Sequence, residues 1–249
     1  MVTLILAAGY AVRLQPLTEN TPKPLLEIGG RRIIDRILDK VSSAAETGDI
    51  YIITNNKFFN KFEDWLKGAR LHDRISLIND GTDTNETRAG AIKDLAVAID
   101  EKAIDDGLLV IAGDNLFECD LKKFLAFAHK HRDGASVAVH DISSLDAARR
   151  FGVVKLDKDE RIIDFEEKPE KPKSTLVSTG IYYFPREKLR LIKRYVESQD
   201  KKLDAPGYYI GWLSRTDTVY GFKFSEDWCD IGDIESYRDW DRRYRERER

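Results

Sequence analysis

The chain has 249 residues, of which 42% are apolar, enough to build one large α/β domain or two small ones. Its 41 basic and 44 acidic residues nearly cancel, which argues against a surface that attracts nucleic acid or an anionic membrane. No apolar run approaches the roughly 18 residues that a membrane-spanning helix needs. The two cysteines, Cys119 and Cys229, suggest neither a disulfide framework nor a zinc site. Because disulfides are typical of oxidising compartments, the sequence predicts a protein of the reducing cytoplasm.

The first part of the chain alternates short β-rich runs with longer amphipathic segments. Its apolar start lacks a basic segment and leads into a glycine-containing loop, which predicts a buried strand rather than a secretion signal. Apolar residues recur at three- and four-residue spacing from Ile33 to Val41 and from Ala91 to Ile99, which predicts two helices. This βαβα pattern indicates a mainly parallel sheet. Its predicted strands are Thr3 to Ala7, Ile50 to Thr54, Ile75 to Ile78 and Leu108 to Ala112.

The pattern changes near residue 135, where four predicted strands follow one another with little helix between them. We expect these strands to extend the same sheet in antiparallel or mixed pairing. A helix from about Arg186 to Glu197, a strand near Thr218 to Phe224 and a helix from about Ile234 are predicted to follow. The four strands are Ala135 to Val139, Gly152 to Leu156, Ile162 to Phe165 and Ile181 to Phe184.

Together these elements predict an α/β fold, Rossmann-like, with three α/β/α layers around a mainly parallel mixed sheet. No linker or repeat divides the chain, so residues 1–241 are predicted to form one domain. Its first half would span about 1–134 and its second half about 135–241. The segment 242–249 is charged apart from Tyr244 and is predicted to fray into solvent.

A glycine-containing loop follows the first predicted strand. The segment from Leu6 to Thr18 reads L-A-A-G-Y-A-V-R-L-Q-P-L-T, and T-P-K-P-L-L follows from Thr21. Such a loop can direct backbone N–H groups at phosphate oxygens, while Arg13 and Lys23 would supply cations at positions that a polar loop exposes. On its own, the pattern fits an ordinary βα turn with two solvated cations equally well.

Two further segments place carboxylates near strand ends. The buried run from Leu108 ends in Gly113-Asp114, and ligands of open α/β sheets bind at such carboxyl ends. Asp114 could hold Mg²⁺ there, although it could equally cap the following turn. The run from Ile162 ends in Glu167-Lys168, which could also be a surface ion pair worth less than about 1 kcal/mol.

These segments resemble the signature of the sugar-nucleotide pyrophosphorylase family, from about Leu4 to Tyr237. The first loop is similar to that family's L-A-A-G-x-x-x-R-L-x-P-L-T and P-K-P-L strings. The later segments resemble its strand-ending G-D, its E-E-K-P and, at Trp228 to Gly232, its W-x-D-x-G. The resemblance implies the nucleotide-diphospho-sugar transferase fold, similar to the catalytic domains of glucose-1-phosphate thymidylyltransferases and mannose-1-phosphate guanylyltransferases.

The resemblance also implies a nucleotide-binding half of about 1–134 and a sugar-phosphate-binding half of about 135–241. Two departures stand in the first loop, where Ala11 and Val12 replace the family's usual Gly-Thr, and a third stands at Thr87-Arg88 in the base-reading loop. The base preference is therefore left open. The implied nucleotide-binding residues are Ala8, Gly9, Arg13, Lys23, Asn79 and Gly90.

For the second substrate, the resemblance implies a sugar 1-phosphate. Lys168 would bind its phosphate, Glu167 its hydroxyl groups, and Gly152 and Thr179 its remaining polar atoms. Mg²⁺ is implied as the cofactor, held by Asp114 and Asp230, while Asp233 is expected to cap the last helix. The implied catalytic residues are Arg13, Lys23, Asp114 and Lys168.

The sequence thus predicts a magnesium-dependent enzyme that joins a nucleoside triphosphate to a sugar 1-phosphate, with glucose 1-phosphate and dTTP or UTP as first choices. Three alternatives stay open: a cytidylyltransferase for a phosphorylated alcohol such as choline phosphate, a non-catalytic nucleotide-sensing subunit, and a dehydrogenase. The last would need G-x-G-x-x-G, of which only Gly9 is present. Longer family members carry a C-terminal β-helix, so a monofunctional chain is expected. A homo-oligomer is possible, because Tyr208, Tyr209 and Trp212 are expected to be exposed.

Overall fold

A mixed β-sheet of nine strands forms the centre of the computed structural model, which describes residues 1–44, 48–198 and 205–247. Two small two-stranded sheets accompany it. The strands are β1 (Val2–Leu6), β2 (Glu27–Ile28), β3 (Arg31–Arg32), β4 (Ile50–Thr54), β5 (Ile75–Asn79), β6 (Leu108–Ala112), β7 (Asn115–Phe117), β8 (Ala135–Asp141), β9 (Gly152–Leu156), β10 (Ile162–Glu167), β11 (Leu176–Phe184), β12 (Val219–Phe224) and β13 (Trp228–Asp230). The helices are α1 (Ile33–Ser43), α2 (Phe59–Leu66), α3 (Ala91–Glu101), α4 (Leu121–Lys130), α5 (Leu145–Ala148), α6 (Leu189–Glu197), α7 (Pro206–Thr216) and α8 (Ile234–Arg247).

One side of the large sheet is parallel, in the order β6-β1-β4-β5. Leu4 lies between Tyr51 of β4 and Val110 of β6 in this register. Strands covered on both faces need apolar side chains at successive positions, and β6 is accordingly an unbroken apolar run. The four strands predicted for this part are confirmed to within one residue at each end. The two predicted helices are also confirmed, and each ends two residues later than expected.

The other side of the sheet is mixed. Strand β11 runs antiparallel to β6 and to β8, and β12 lies parallel to β8 at the border. The register of β11 shifts between Ser178 and Tyr182, where Gly180 has a φ of 75° that favours glycine. The first residues of β11 therefore pair with β9, and its last residues pair with β6. The prediction that the later strands extend the same sheet is confirmed.

The helices form two layers, one on each face of the sheet. Helices α1, α2, α4 and α8 contribute buried side chains to one apolar cluster, and α3, α6 and α7 contribute to a second. Successive residues of β1 alternate between the clusters, with Leu4 in the second and Ile5 in the first. The predicted three-layer α/β/α fold is confirmed. Among the helices of the described part, none is long and apolar enough to cross a lipid bilayer.

The prediction of a frayed tail is wrong for residues 242–247, which continue α8. The reason is Tyr244, whose side chain is buried and whose hydroxyl donates to Glu118 at 3.1 Å. The guanidinium of Arg36 lies 4.2 Å from the centre of its ring. Residues 248 and 249 of the predicted tail lie outside the described residues.

Helix α7 was not predicted, because its start at Pro206-Gly207 has the composition of a turn. The expected exposure of Tyr209 is wrong, since this side chain lies fully buried in α7. Its ring packs 5.9 Å from that of Trp212, which is itself half-buried, and only Tyr208 of the three aromatic residues is exposed. A homo-oligomer stays a prediction.

Candidate active site

A cavity of about 920 Å³ opens at the carboxyl ends of β1 and β6. The starts of α3 and α7, the bulge of β11 and the end of β10 complete its wall. Open α/β sheets bind ligands at this edge. Of the residues proposed from the sequence, all but Asn79 line the cavity: Ala8, Gly9, Arg13, Lys23, Gly90, Asp114, Gly152, Glu167, Lys168, Thr179 and Asp230.

The loop after β1 forms one wall of the cavity. Buried Asn55 donates from its side chain to the Ala8 carbonyl at 2.9 Å and so fixes the start of the loop. Thr18 donates to the Ala11 carbonyl at 2.8 Å and ties down its middle. Arg13 follows in a short 3₁₀ helix and lines the cavity, where its charge acts on the Asp230 carboxylate but no described carboxylate lies within ion-pair distance. Its guanidinium is therefore available to an anionic ligand.

Ala11 has left-handed backbone angles, with φ 46° and ψ 42°. A residue with a Cβ is disfavoured in this conformation by about 1–2 kcal/mol relative to glycine. Glycine in turn loses about 0.4–1 kcal/mol of stability, because it increases the conformational entropy of the unfolded chain. We therefore expect Ala11→Gly to raise the free energy of unfolding by up to about 1 kcal/mol in urea denaturation. Ala103, with φ 47° and no place in the cavity, is a matched control, because Ala103→Gly should give a similar gain. A loss of stability in both variants would contradict this explanation.

Two aspartates from distant parts of the chain meet beside one lysine. Gly113, where a Cβ would lie 2.7 Å from the Leu6 carbonyl oxygen, lets the chain pass β1 closely and present Asp114. Strand β7 then pairs with β13 and sets Asp230 opposite Asn115. The ammonium of Lys23 lies 2.9 Å from Asp114 Oδ2 and 3.1 Å from Asp230 Oδ1.

The expectation that Lys23 is an exposed loop cation is wrong, because its side chain is only 8% exposed. Burial disfavours its charge, but the two carboxylates outweigh this and raise the pKa of Lys23. Burial also opposes the charge of Asp114, yet the Lys23 ammonium keeps the pKa of Asp114 below its usual value. For Asp230, burial and then the neighbouring Asp114 raise the pKa. When all three groups are ionised, the cluster carries one net negative charge.

The oxygen donors of this pair fit a hard divalent cation. No set of three or more His, Cys, Asp or Glu side chains able to hold a metal occurs within residues 1–44, 48–198 and 205–247. Mg²⁺ commonly binds through one or two carboxylates together with substrate phosphates. Asp114 and Asp230, open to a cavity wide enough for such a substrate, meet that requirement.

The opposite wall carries Glu167 and Lys168 at the end of β10. Lys168 has a left-handed φ of 47°, and its N–H donates to the Phe151 carbonyl at 3.0 Å. A non-glycine residue held in this conformation often marks a functional site. The Lys168 side chain is 58% exposed, whereas that of Glu167 is 8% exposed, and burial raises the pKa of Glu167. A surface ion pair, the alternative left open by the sequence, therefore does not describe Glu167.

Thr179 and Gly152 complete this wall. Gly152 begins β9 directly opposite Glu167. The Thr179 hydroxyl donates to the Ala138 carbonyl at 2.9 Å, so towards a ligand it can act only as an acceptor. The Thr179 carbonyl in turn accepts from the side chain of Asn115 at 2.5 Å.

Asn79 does not reach the cavity. Its side-chain amide donates to Asn56 at 2.9 Å, and its oxygen accepts from the Gly81 N–H at 2.9 Å. Asp80 lines the cavity in its place, together with Arg88. Because side chains alternate between the faces of a strand, the end of β5 directs neighbouring residues to opposite sides. Counting this alternation along the sequence would have favoured Asp80 over Asn79 as the residue that faces the cavity.

Sequence reasoning missed several other cavity residues. Arg150 lines the wall and forms an ion pair of 3.1 Å with Asp233, which also caps α8 as expected by accepting from the Ser236 N–H at 2.9 Å. The basic pair Arg149-Arg150 before Phe151-Gly152 was a signal for it. Gly207 and Tyr208 line the cavity from the first turn of α7, a helix that the sequence did not predict.

A family model described as "Nucleotidyl transferase" matches residues 2–247. The "Bifunctional protein GlmU" of Methanocaldococcus jannaschii is 34% identical over 241 residues, which cover 97% of this chain and 52% of that protein. The chain thus spans about half the length of this curated relative.

Solved structures show the same fold. A putative glucose-1-phosphate thymidylyltransferase from Bacillus anthracis, crystallised with sucrose, is 25% identical with a TM-score of 0.83. The similarity covers 98% of this chain and 96% of that one. A UDP-glucose pyrophosphorylase in complex with UDP-glucose is 19% identical with a TM-score of 0.84, covering 100% of this chain and 99% of that one.

Proposed function

The chain belongs to the nucleotidyl transferase family, and from that premise we propose that it joins a nucleoside triphosphate to a sugar 1-phosphate and releases pyrophosphate. One observation carries the proposal. A single cavity holds the Lys23, Asp114 and Asp230 cluster on one wall and the Glu167-Lys168 pair on another. The first set suits a nucleotide phosphate with a divalent cation, and the second suits a phosphorylated, hydroxyl-bearing acceptor.

The triphosphate would lie along the loop after β1. Backbone N–H groups of Ala8 and Gly9 can face its oxygens, and the unpaired Arg13 guanidinium can bind them through two hydrogen bonds. Gly90 precedes the first turn of α3, whose free N–H groups favour an anion. These groups orient the nucleotide and offset its charge.

The acceptor would bind at the end of β10. Lys168, exposed to the cavity, can hold the sugar phosphate as a point charge, while Glu167 accepts hydrogen bonds from hydroxyl groups. Held in this way, a phosphate oxygen of the acceptor attacks the α-phosphorus in line. The new P–O bond forms as the bond to the β-phosphate oxygen breaks, and the electron pair leaves with pyrophosphate.

The protein promotes this step by position and charge. Arg13 and Lys23 offset the negative charge that grows on the leaving pyrophosphate. Asp114 and Asp230 would hold Mg²⁺, which supplies Lewis-acid stabilisation of the phosphate oxygens when bound. No side chain needs to form a covalent intermediate.

Release of pyrophosphate tests the proposal. Purified protein with Mg²⁺ is supplied with glucose 1-phosphate, N-acetylglucosamine 1-phosphate, mannose 1-phosphate or choline phosphate, each with dTTP, UTP, CTP, GTP or ATP. We expect release with at least one sugar phosphate, with glucose 1-phosphate and dTTP or UTP as the proposed pair, and none without an acceptor. Release with choline phosphate alone would favour the cytidylyltransferase alternative. The absence of pyrophosphate release with every pair of substrates would contradict catalysis of this type.

A further inference from the structure

The first turn of α7 packs against the end of β10 without any side chain between them at Gly207. A Cβ at this position would lie 1.7 Å from Glu167 Oε2, 2.7 Å from the Glu167 carboxyl carbon and 3.1 Å from Phe165 Cε1. The two distances to Glu167 are far below van der Waals contact, and the distance to Phe165 is tighter than most contacts of a Cβ atom. Any residue other than glycine at position 207 would therefore displace the Glu167 carboxylate.

Gly152 confines the same carboxylate from the other side. A Cβ on Gly152 would lie 3.0 Å from Glu167 Oε2. The carboxylate thus lies between two glycines, and Glu167 lines the cavity. Among the described residues it accepts no hydrogen bond, and its one ion-pair partner there is the Lys168 ammonium, 3.8 Å from Oε1.

A buried carboxylate without hydrogen-bond donors is costly, and a ligand that supplies donors removes this cost. Sugar hydroxyl groups can donate to it, whereas a quaternary ammonium has no N–H or O–H to donate. Such charge-assisted hydrogen bonds are about twice as strong as neutral ones. The position of Glu167 between the glycines therefore favours a hydroxyl-rich acceptor.

We propose that Gly207 is a positioning residue, which sets the affinity for the sugar phosphate by keeping the Glu167 carboxylate directed into the cavity; this inference rests on the proposed function. The effect is steric, because the Glu167 carboxylate occupies the space that a Cβ at position 207 would fill. Gly207 itself need not contact the acceptor.

The variant Gly207→Ala tests the inference. We expect the KM for the sugar 1-phosphate to rise about tenfold or more, the size that corresponds to losing a hydrogen bond to a charged group. The KM for the nucleoside triphosphate should stay within about twofold of the wild-type value, because the nucleotide wall does not involve Glu167. Steady-state kinetics with each substrate varied in turn measures both.

Gly211 is a matched control on the same face of α7, one turn further along. A Cβ there would lie 3.3 Å from Phe165 Cδ1, 3.5 Å from the Phe165 carbonyl oxygen and 3.7 Å from Arg215 Nη1, and Glu167 is not among these three nearest atoms. Gly211→Ala makes the same chemical change in the same helix, so it should leave the KM for the sugar phosphate unchanged. An equal rise in both variants would mean that α7 as a whole, not the Glu167 clash, had been disturbed, and would overturn the inference.

A double variant separates positioning from a merely structural role. In a Glu167→Ala background the clash with Glu167 disappears and only the 3.1 Å approach to Phe165 Cε1 is left, so adding Gly207→Ala should change the KM for the sugar phosphate no further. If Gly207→Ala alone lowers the Tm, the double variant should recover it. An equal increase in KM with and without Glu167, or a wild-type KM in Gly207→Ala, would overturn the inference while the proposed function stands. A wild-type protein inactive with every acceptor would instead overturn the proposed function and this inference together.

Discussion

Replacing Asp114 by asparagine should lower turnover by about 10²-fold or more, the typical loss when one electrostatic element of an active site is removed. Asparagine keeps the size of the side chain but loses the charge that would hold a divalent cation and that faces the Lys23 ammonium. The Asp114 side chain is 40% exposed towards the cavity, so the fold should tolerate the change. Initial rates of pyrophosphate release at saturating substrates measure the loss.

A matched control is Asp64→Asn, at an exposed aspartate of α2 that pairs with Lys67 at 2.8 Å outside the cavity. This variant should keep wild-type turnover. Circular dichroism and thermal unfolding of both variants establish that the fold is intact. Near wild-type turnover in Asp114→Asn would remove Asp114 from the proposed machinery.

Replacing Lys23 by methionine should have a second large effect, on stability as well as on turnover. The change leaves Asp114 and Asp230 facing one another without their cation. Removing one partner of a fully buried ion pair costs about 3–5 kcal/mol. Because these carboxylates are 40% and 27% exposed, we expect a smaller loss in the free energy of unfolding, of about 1–3 kcal/mol in denaturant titrations without divalent cations.

Magnesium separates the two roles of this cluster. Addition of Mg²⁺ should raise the Tm of Lys23→Met by more than that of the wild type, because a divalent cation can replace the missing positive charge between the carboxylates. Turnover should nevertheless fall by about 10²-fold or more, since the charge that offsets the leaving pyrophosphate is gone. Lys67→Met, at an exposed lysine on the surface, is the control. A Tm of Lys23→Met that does not respond to Mg²⁺ would contradict a metal site at this pair.

The parallel half of the fold could be predicted from the sequence because its signals are local. The apolar run of β6 is long enough to identify a buried strand, and Gly113-Asp114 marks its carboxyl end. Helices α1 and α3 show a regular apolar spacing. Each of these features depends on neighbouring residues, so no tertiary information was needed.

The approach of Asp230 to Asp114 could not be derived in the same way. It depends on the pairing of β13 with β7, two three-residue strands more than one hundred residues apart in the chain. No local periodicity reports such a contact, and only the family resemblance suggested it. The burial of Lys23 has the same origin, because its partners come from both distant segments.

Helix α7 shows a different limit. Proline and glycine at its start resemble a turn, although proline is well suited to the first position of a helix. The two glycines of its inner face, Gly207 and Gly211, weaken helix propensity but allow close packing on Phe165. Here tertiary packing outweighs the local preference, and the resulting wall of the cavity is visible only in the structure.

The fate of each phosphate tests the central claim most directly. The protein is incubated with Mg²⁺, a sugar 1-phosphate and its preferred nucleoside triphosphate, labelled with ³²P at the α position in one sample and at the γ position in another. Transfer at the α-phosphorus predicts that the α label appears in a sugar nucleotide and the γ label in pyrophosphate. Transfer of the γ label to the sugar phosphate, or recovery of the α label only in free nucleotide, would contradict the account.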